Sequence, residues 1–231
     1  MTTAVTGSRI LAALAEVRDP ELDEPITVLG FVASASVVDG VAEVHLRLPT
    51  YFCAPNFAYL MVADAYDQVS ALDEVVAAKI ILDDHFAAEA INEGVAARAG
   101  FVGSFGDEAV DELDHLRGDF LRKSVMAGTD VVCRPLVAAG ATPADLATVV
   151  LGGVPHSPAL ARLRRRRREL GLPAGDGAPL LIDPATGEAV GVDGVPLHLR
   201  KARLTRTSLD ANTSICRGML RHRYPASSEE T

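Results

Sequence analysis

Two carboxylates flanking a proline, Asp19-Pro20-Glu21, and a cysteine between a predicted strand and a predicted helix, Cys53, are the residues here best suited to chemistry. Carboxylates offer hard oxygen ligands and thiolates soft sulfur ones, so together they suit a transition-metal or sulfur site. Taken alone, Asp-Pro-Glu also reads as a way to stop a helix and turn the chain, with both carboxylates in water. A free cysteine is often only a small buried hydrophobe. Cys53, however, precedes a helix opened by Pro55, and a helix N-terminus favours the thiolate, the form that binds metal or attacks sulfur.

A second candidate set is Asp83-Asp84-His85 with Glu89. On a helix predicted over residues 85–97 and capped by Asp84, His85 and Glu89 are four apart and share a face. Adding Asp84 or Glu93 makes an oxygen-and-nitrogen set suited to iron, manganese or zinc, as in a metal-dependent enzyme. The plain alternative is an acidic cap followed by an exposed pair. Cys133 lies in an apolar helical run and reads as core. Cys216, in Ser214-Ile215-Cys216-Arg217, has basic neighbours that favour thiolate, and joins Cys53 only if the C-terminal segment folds back across the first domain. His45 and His115 read as surface residues and His156 as a helix-entry residue. Arg164, Arg165, Arg166, Arg167 and Arg168 form an unbroken basic run without the aromatic platforms of single-strand nucleic-acid binders. Spread around a helix, they suit an acidic protein partner or the chain's own acidic half, as in a metal-free interaction adaptor. Neither a phosphate-binding glycine loop, a Gly-x-Ser-x-Gly elbow nor an HExxH pair is present.

The elements that must position these groups follow from periodicity and breakers. Ser8 can cap a first helix with Ile10, Leu11, Leu14 and Val17 on one face, ended by Pro20. Ile26 to Val38 reads as a strand entry and strand, and Asp39-Gly40 is a strong two-residue hairpin signal. On the return strand Val44, Leu46 and Leu48 alternate with Glu43, His45 and Arg47. A helix from Pro55 and a third strand over residues 74–82 complete a compact unit. Beyond Asp84 the pattern is helical: 85–97, a longer helix opened by Asp107 with Val110 inward, and shorter ones over 130–139 and 143–151. A basic helix and a hairpin around Asp183-Pro184-Ala185-Thr186-Gly187 follow; the Ser-Ser-Glu-Glu-Thr tail is expected to be disordered.

At 231 residues and 48% apolar, the chain can bury a real core; tryptophan is absent and Ala, Val and Leu dominate. No run approaches a membrane span of about 18 apolar residues, and no signal-peptide pattern opens the chain. The expectation is a soluble cytoplasmic protein with no membrane role. Three widely spaced cysteines make neither a disulfide framework nor a zinc ribbon. Residues 1–155 carry 9 basic and 23 acidic side chains, whereas residues 156–231 carry 13 and 8. An acidic front half argues against nucleic acid as a partner.

Asp19-Pro20-Glu21, Leu29-Gly30, the hairpin and Thr50-x-x-Cys53 together resemble the small domain shared by bacterial SufT, PaaD of the phenylacetyl-CoA epoxidase system, and the eukaryotic cytosolic iron–sulfur targeting factor. The likeness covers residues 9–85, about a third of the chain. Where that family's cysteine is followed directly by proline, Ala54 intervenes here before Pro55. Residues 86–155, including Gly100-Phe101 and Leu113-x-x-Leu116-Arg117, resemble the extended forms that accompany soluble di-iron monooxygenases. The resemblance implies an accessory or maturation factor for an iron-dependent or iron–sulfur enzyme. It would handle iron or a cluster and bind a client metalloenzyme or assembly proteins. It also implies that the Asp19/Glu21 turn lies beside the Cys53 loop and that the Asp84 segment follows the third strand. The expected architecture is α/β (α+β): a small mixed sheet of about three strands with flanking helices, then a mainly helical extension with a hairpin. The expected divisions are residues 1–85, 86–155 and 156–231, with homo-oligomerisation left open.

Overall fold

The computed structural model describes residues 2–225; the tail expected to be disordered lies outside them. The elements are α1 (Thr2–Leu14), α2 (Ile26–Leu29), β1 (Val32–Val38), β2 (Val41–Arg47), α3 (Pro55–Ser70), β3 (Ala77–Asp83), α4 (Ala88–Ala96), α5 (Gly100–Phe105), α6 (Asp114–Ala138), α7 (Pro143–Thr148), α8 (Pro158–Glu169) and α9 (Val195–Arg223). The mixed sheet with flanking helices and a mainly helical C-terminal region matches the expected fold class. No helix among the described residues is long and apolar enough to cross a membrane.

The chain divides into two compact units. Residues 1–114 with 212–231 form unit 1, and residues 115–211 form unit 2. The expected division points at 85/86 and 155/156 both fall inside these units. Helix α9 contributes Val195–Ala211 to unit 2 and Asn212–Arg223 to unit 1.

In unit 1, β2 is the central strand, antiparallel to β1 and parallel to β3, with α3 as the crossover. Asp39 and Gly40 both take positive φ, 50° and 79°, as a type I′ hairpin turn demands. The alternation of β2 works as read: Val44, Leu46 and Leu48 are buried, joined by Ile80 and Leu82 of β3 and by Ile10, Leu14, Met61 and Val62 of α1 and α3. Pro55 stands in the first turn of α3, where its missing N–H costs nothing. Two expectations change here. Ser8 lies inside α1 rather than capping it, and Ile26–Leu29 is one helical turn, not a strand entry. The turn ends at Gly30, whose φ of 80° only glycine adopts freely. A Cβ on Gly30 would also stand 3.3 Å from Leu220 Cδ2, so this glycine lets the end of α9 approach the sheet domain.

The helix expected over 85–97 begins only at Ala88, because Asp84 has φ 49° and breaks the helical path. The long helix starts at Asp114 instead of Asp107, leaving Val110 93% exposed rather than inward.

Unit 2 packs Val125, Val132, Cys133, Leu146, Leu151, Leu160, Leu163 and Leu180 into a second core. Asp130 is buried on α6 and takes Arg206 Nε of α9 at 2.6 Å and Arg134 Nη2 at 3.0 Å. The predicted turn at Asp183 forms, closed by Gly187 N–H donating to Asp183 O at 2.8 Å and a bridge between Ile182 and Ala189.

Candidate functional site

The Asp-Pro-Glu turn is not simply solvated. Asp19 is buried, and its Oδ1 accepts from the N–H groups of Glu21 at 2.9 Å and Leu22 at 2.8 Å. Burial pushes the Asp19 carboxyl up to about 6, against the pull of those two N–H groups. Glu21 is half-buried, with Oε1 accepting from Asn212 Nδ2 of α9 at 3.4 Å.

Cys53 is half-buried just before α3, and its Sγ lies 3.3 Å from Thr50 Oγ1. Its loop is pinned from the other side by His85. Nε2 of that buried imidazole donates to Cys53 O at 2.7 Å, and Nδ1 accepts from Ala87 N–H at 3.2 Å. Both ring nitrogens are therefore committed to backbone in the neutral tautomer. Burial, ahead of the nearby Arg223 charge, holds the His85 pKa below its usual value.

The end of α9 completes the corner. Cys216 is half-buried, and burial pushes its thiol up to about 11, with the charges of Asp19, Cys53 and Glu21 acting in the same direction. Asn212 meets Glu21, and Cys216 packs against the same core as Cys53, so the C-terminal segment does fold back to the first domain. Contacts from Arg223 and Tyr224 fasten it. Arg223 donates from Nη1 to Leu48 O at 3.1 Å and from Nη2 to Asp84 O at 2.5 Å, and its guanidinium pairs with the Asp84 carboxylate. The hydroxyl of Tyr224 donates to Asp84 Oδ2 at 3.0 Å. Arg47 lies over the Tyr224 ring, 4.9 Å from its centroid.

The set Asp84, His85 and Glu89 is not brought together as expected. His85 and Asp84 lie before α4, His85 is spent on the Cys53 loop, and Asp84 is paired with Arg223 and Tyr224, while Glu89 is exposed in the first turn. Glu93 is exposed as well. The arginine run is also redistributed. Leu160, Leu163 and Arg167 are spaced i, i+3, i+7, so Arg167 falls on the buried stripe of α8. It is fully buried and donates to Pro179 O at 2.8 Å and Leu180 O at 2.5 Å. Arg166 is buried too, paired with Glu169, and Arg164 binds Asp176 at 2.7 Å. Arg165 is half-buried and Arg168 exposed. A run of five arginines offered to a partner does not exist in this fold.

Residues 8–80 match the family model described as iron–sulfur cluster assembly protein. Residues 8–80 are an iron–sulfur cluster assembly domain. The assembly domain contains Asp19, Glu21, Thr50 and Cys53; His85, Asn212, Cys216 and Arg223 come from outside it. No curated protein and no solved structure matched the chain.

The donors of this corner, two thiols with two carboxylates, suit iron in kind. Among the described residues, however, no three His, Cys, Asp or Glu side chains converge closely enough to hold a metal ion. Asn212, Arg223 and Tyr224 were not singled out from the sequence. Their only signal there was the acidic-to-basic asymmetry, which does not say where a basic segment docks.

Proposed function

We propose that the chain is an accessory factor in the maturation of an iron-dependent or iron–sulfur enzyme, handling iron or a cluster as cargo at the Cys53–Cys216 corner. The observation that supports this reading is the return of α9, whose Asn212 meets Glu21 and whose Cys216 packs against the same core as Cys53 of the assembly domain. Cys53 and Cys216 supply the sulfur ligands, losing their protons to solvent as iron binds. Asp19 and Glu21 supply negative charge that a cation would neutralise. His85 and Arg223 act as positioning residues, holding the Cys53 loop and the end of α9.

The partners on this reading are a client metalloenzyme or other assembly proteins. The resemblance of residues 86–155 to the extended forms that accompany soluble di-iron monooxygenases names such an enzyme as the client to test first. In a strain lacking this protein, the client polypeptide should accumulate with little iron and little activity, and the wild-type chain should restore both. Complementation with Cys53→Ser or Cys216→Ser should leave the client iron-poor. A fully loaded client in the deletion strain would overturn the reading.

A further inference from the structure

Beside the cysteine loop, unit 1 exposes a set of aromatic rings that its own core does not use. Phe52 is 76% exposed, Phe86 49% and Tyr51 44%. Their centroids are close: Tyr51 to Phe52 4.9 Å, Phe52 to Phe86 5.9 Å and Tyr51 to Phe86 6.3 Å. The platform is held rigidly from below. Phe86 N–H donates to Tyr51 O at 3.2 Å, Phe52 N–H donates to Thr50 Oγ1 at 3.2 Å, and His85 grips Cys53 O. Exposed apolar side chains gathered into one patch, unlike scattered ones, mark an interaction surface.

Phe86 also lines a groove of about 860 Å³ that continues from the platform, walled by Pro55, Ala90, Phe101, Phe105 and Val110. Apolar side chains alternate in the groove with Asn56 and Ser104, and its edge is acidic. Glu108 lines it, and Asp107 and Asp111 next to it are exposed. Across residues 83–114 the chain carries nine acidic side chains and one basic, Arg98. That field repels phosphate and anionic lipid and attracts a cation.

We propose that this groove and platform dock a cationic, amphipathic segment of a partner protein, its large apolar side chains against Phe52, Phe86 and Phe101 and its Lys or Arg side chains along the Glu108 edge. Helix-in-groove recognition reads such segments by apolar anchors on one face. The surface adjoins the Cys53 loop but uses neither thiol, so docking does not depend on the cargo reading.

The test uses the full chain and a fluorescent peptide of about 15 residues, with Leu and Phe on one helical face and Lys on the other. A Glu-for-Lys peptide and a scrambled peptide of the same composition serve as controls. Anisotropy should show binding of the Lys peptide alone, weakened by salt. Phe52→Ala, at a site too exposed to unfold the domain, should weaken it by about tenfold, as loss of an interface anchor does. Glu108→Gln with Asp111→Asn should flatten the salt dependence. Hydrogen exchange should slow over residues 86–90 and 101–110 when the peptide is present. Cys53→Ser should bind the peptide as wild type does, even if it fails in client maturation. Equal binding of the Glu or scrambled peptide, or unchanged affinity in both Phe52→Ala and Phe86→Ala variants of native circular dichroism, would overturn the proposal. So would self-association of the chain that Phe52→Asp abolishes, which would assign the surface to a second copy.

Discussion

The two units treat their buried polar groups in opposite ways, and the contrast separates chemistry from architecture. In unit 2, Cys133 is sealed in the core and its thiol is pushed up to about 12, by burial first and then by the Asp130 charge. Beside it Arg167 is also sealed, its pKa lowered to about 10 by burial, yet its Nη atoms are spent on backbone carbonyls of the irregular segment after α8. That guanidinium does what a strand partner would do elsewhere: it satisfies carbonyls that have no N–H to meet. In unit 1 the thiols are half-buried and reachable, and the buried charge-bearing group, Asp19, lies beside them with its pKa moved toward neutrality. A buried acid with a raised pKa opposes folding at neutral pH, so it is a poor way to gain stability.

The contrast is sharpest in thiol reactivity. Under native conditions Cys133 should alkylate at least about a hundredfold more slowly than Cys53, because it must both be exposed by unfolding and lose a tightly held proton. Peptide mapping after timed alkylation reads this directly, and comparable rates would erase the distinction between the units. Next in size is Arg167→Met. It keeps the apolar stem but strands the Pro179 and Leu180 carbonyls, and should cost about 3–5 kcal/mol in denaturant unfolding. A near-neutral outcome would mean that the carbonyls find other donors.

Asp19→Asn should act in the opposite direction. Asparagine can keep the Oδ1 acceptor for Glu21 and Leu22 N–H while removing the buried charge. Because the folded pKa of Asp19 is raised to about 6 from 3.8, the wild type is favoured below pH 3.8 and loses that stability as pH rises through about 6. The variant should therefore be more stable than wild type at pH 7.5, by up to about 3 kcal/mol, with the gain fading as pH falls toward 4. Denaturant midpoints across pH 4–8 check it, and a pH-independent difference would contradict the buried-charge account. The smallest effect is expected on the outer face of the sheet. There His45 Nδ1 meets Asp83 at 3.0 Å and Nε2 meets Glu43 at 3.3 Å, and the hydrogen bond to Asp83 leads in raising its pKa above 6.5. Its NMR titration should fall toward 6.5 in Asp83→Asn. A midpoint that does not move would remove Asp83 as the cause.

Much of unit 1 was legible because its signals are local and agree with one another. Asp39-Gly40 specifies a turn with two positive φ values, β2 alternates strictly, and Pro55 marks the start of α3. Ile26–Leu29 misled because Ile, Thr and Val favour strands, yet a single helical turn closed by Gly30 sits there. Helix α9 was missed for a different reason. It is 29 residues long but weakly amphipathic, interrupted by three Thr, two Ser and one Asn, with Leu197, Leu204 and Ile215 exposed. The candidate residues Asp19, Glu21 and Cys53 were readable as types and spacing. That Cys216 joins them depends on where a distant helix ends, which no local pattern encodes. Arg166 and Arg167 hid within a run of identical charges, where only the spacing from Leu160 and Leu163 marks the inner face.

The two reachable thiols, and not the sealed one, should take up cargo. Purified protein should be incubated without oxygen with ferrous iron and sulfide, desalted, and assayed for bound iron and for visible absorbance. Wild type and Cys133→Ser should retain iron and colour, while Cys53→Ser and Cys216→Ser should each lose most of both. Retention by a Cys53→Ser, Cys216→Ser double variant at the wild-type level would contradict the assignment of the corner.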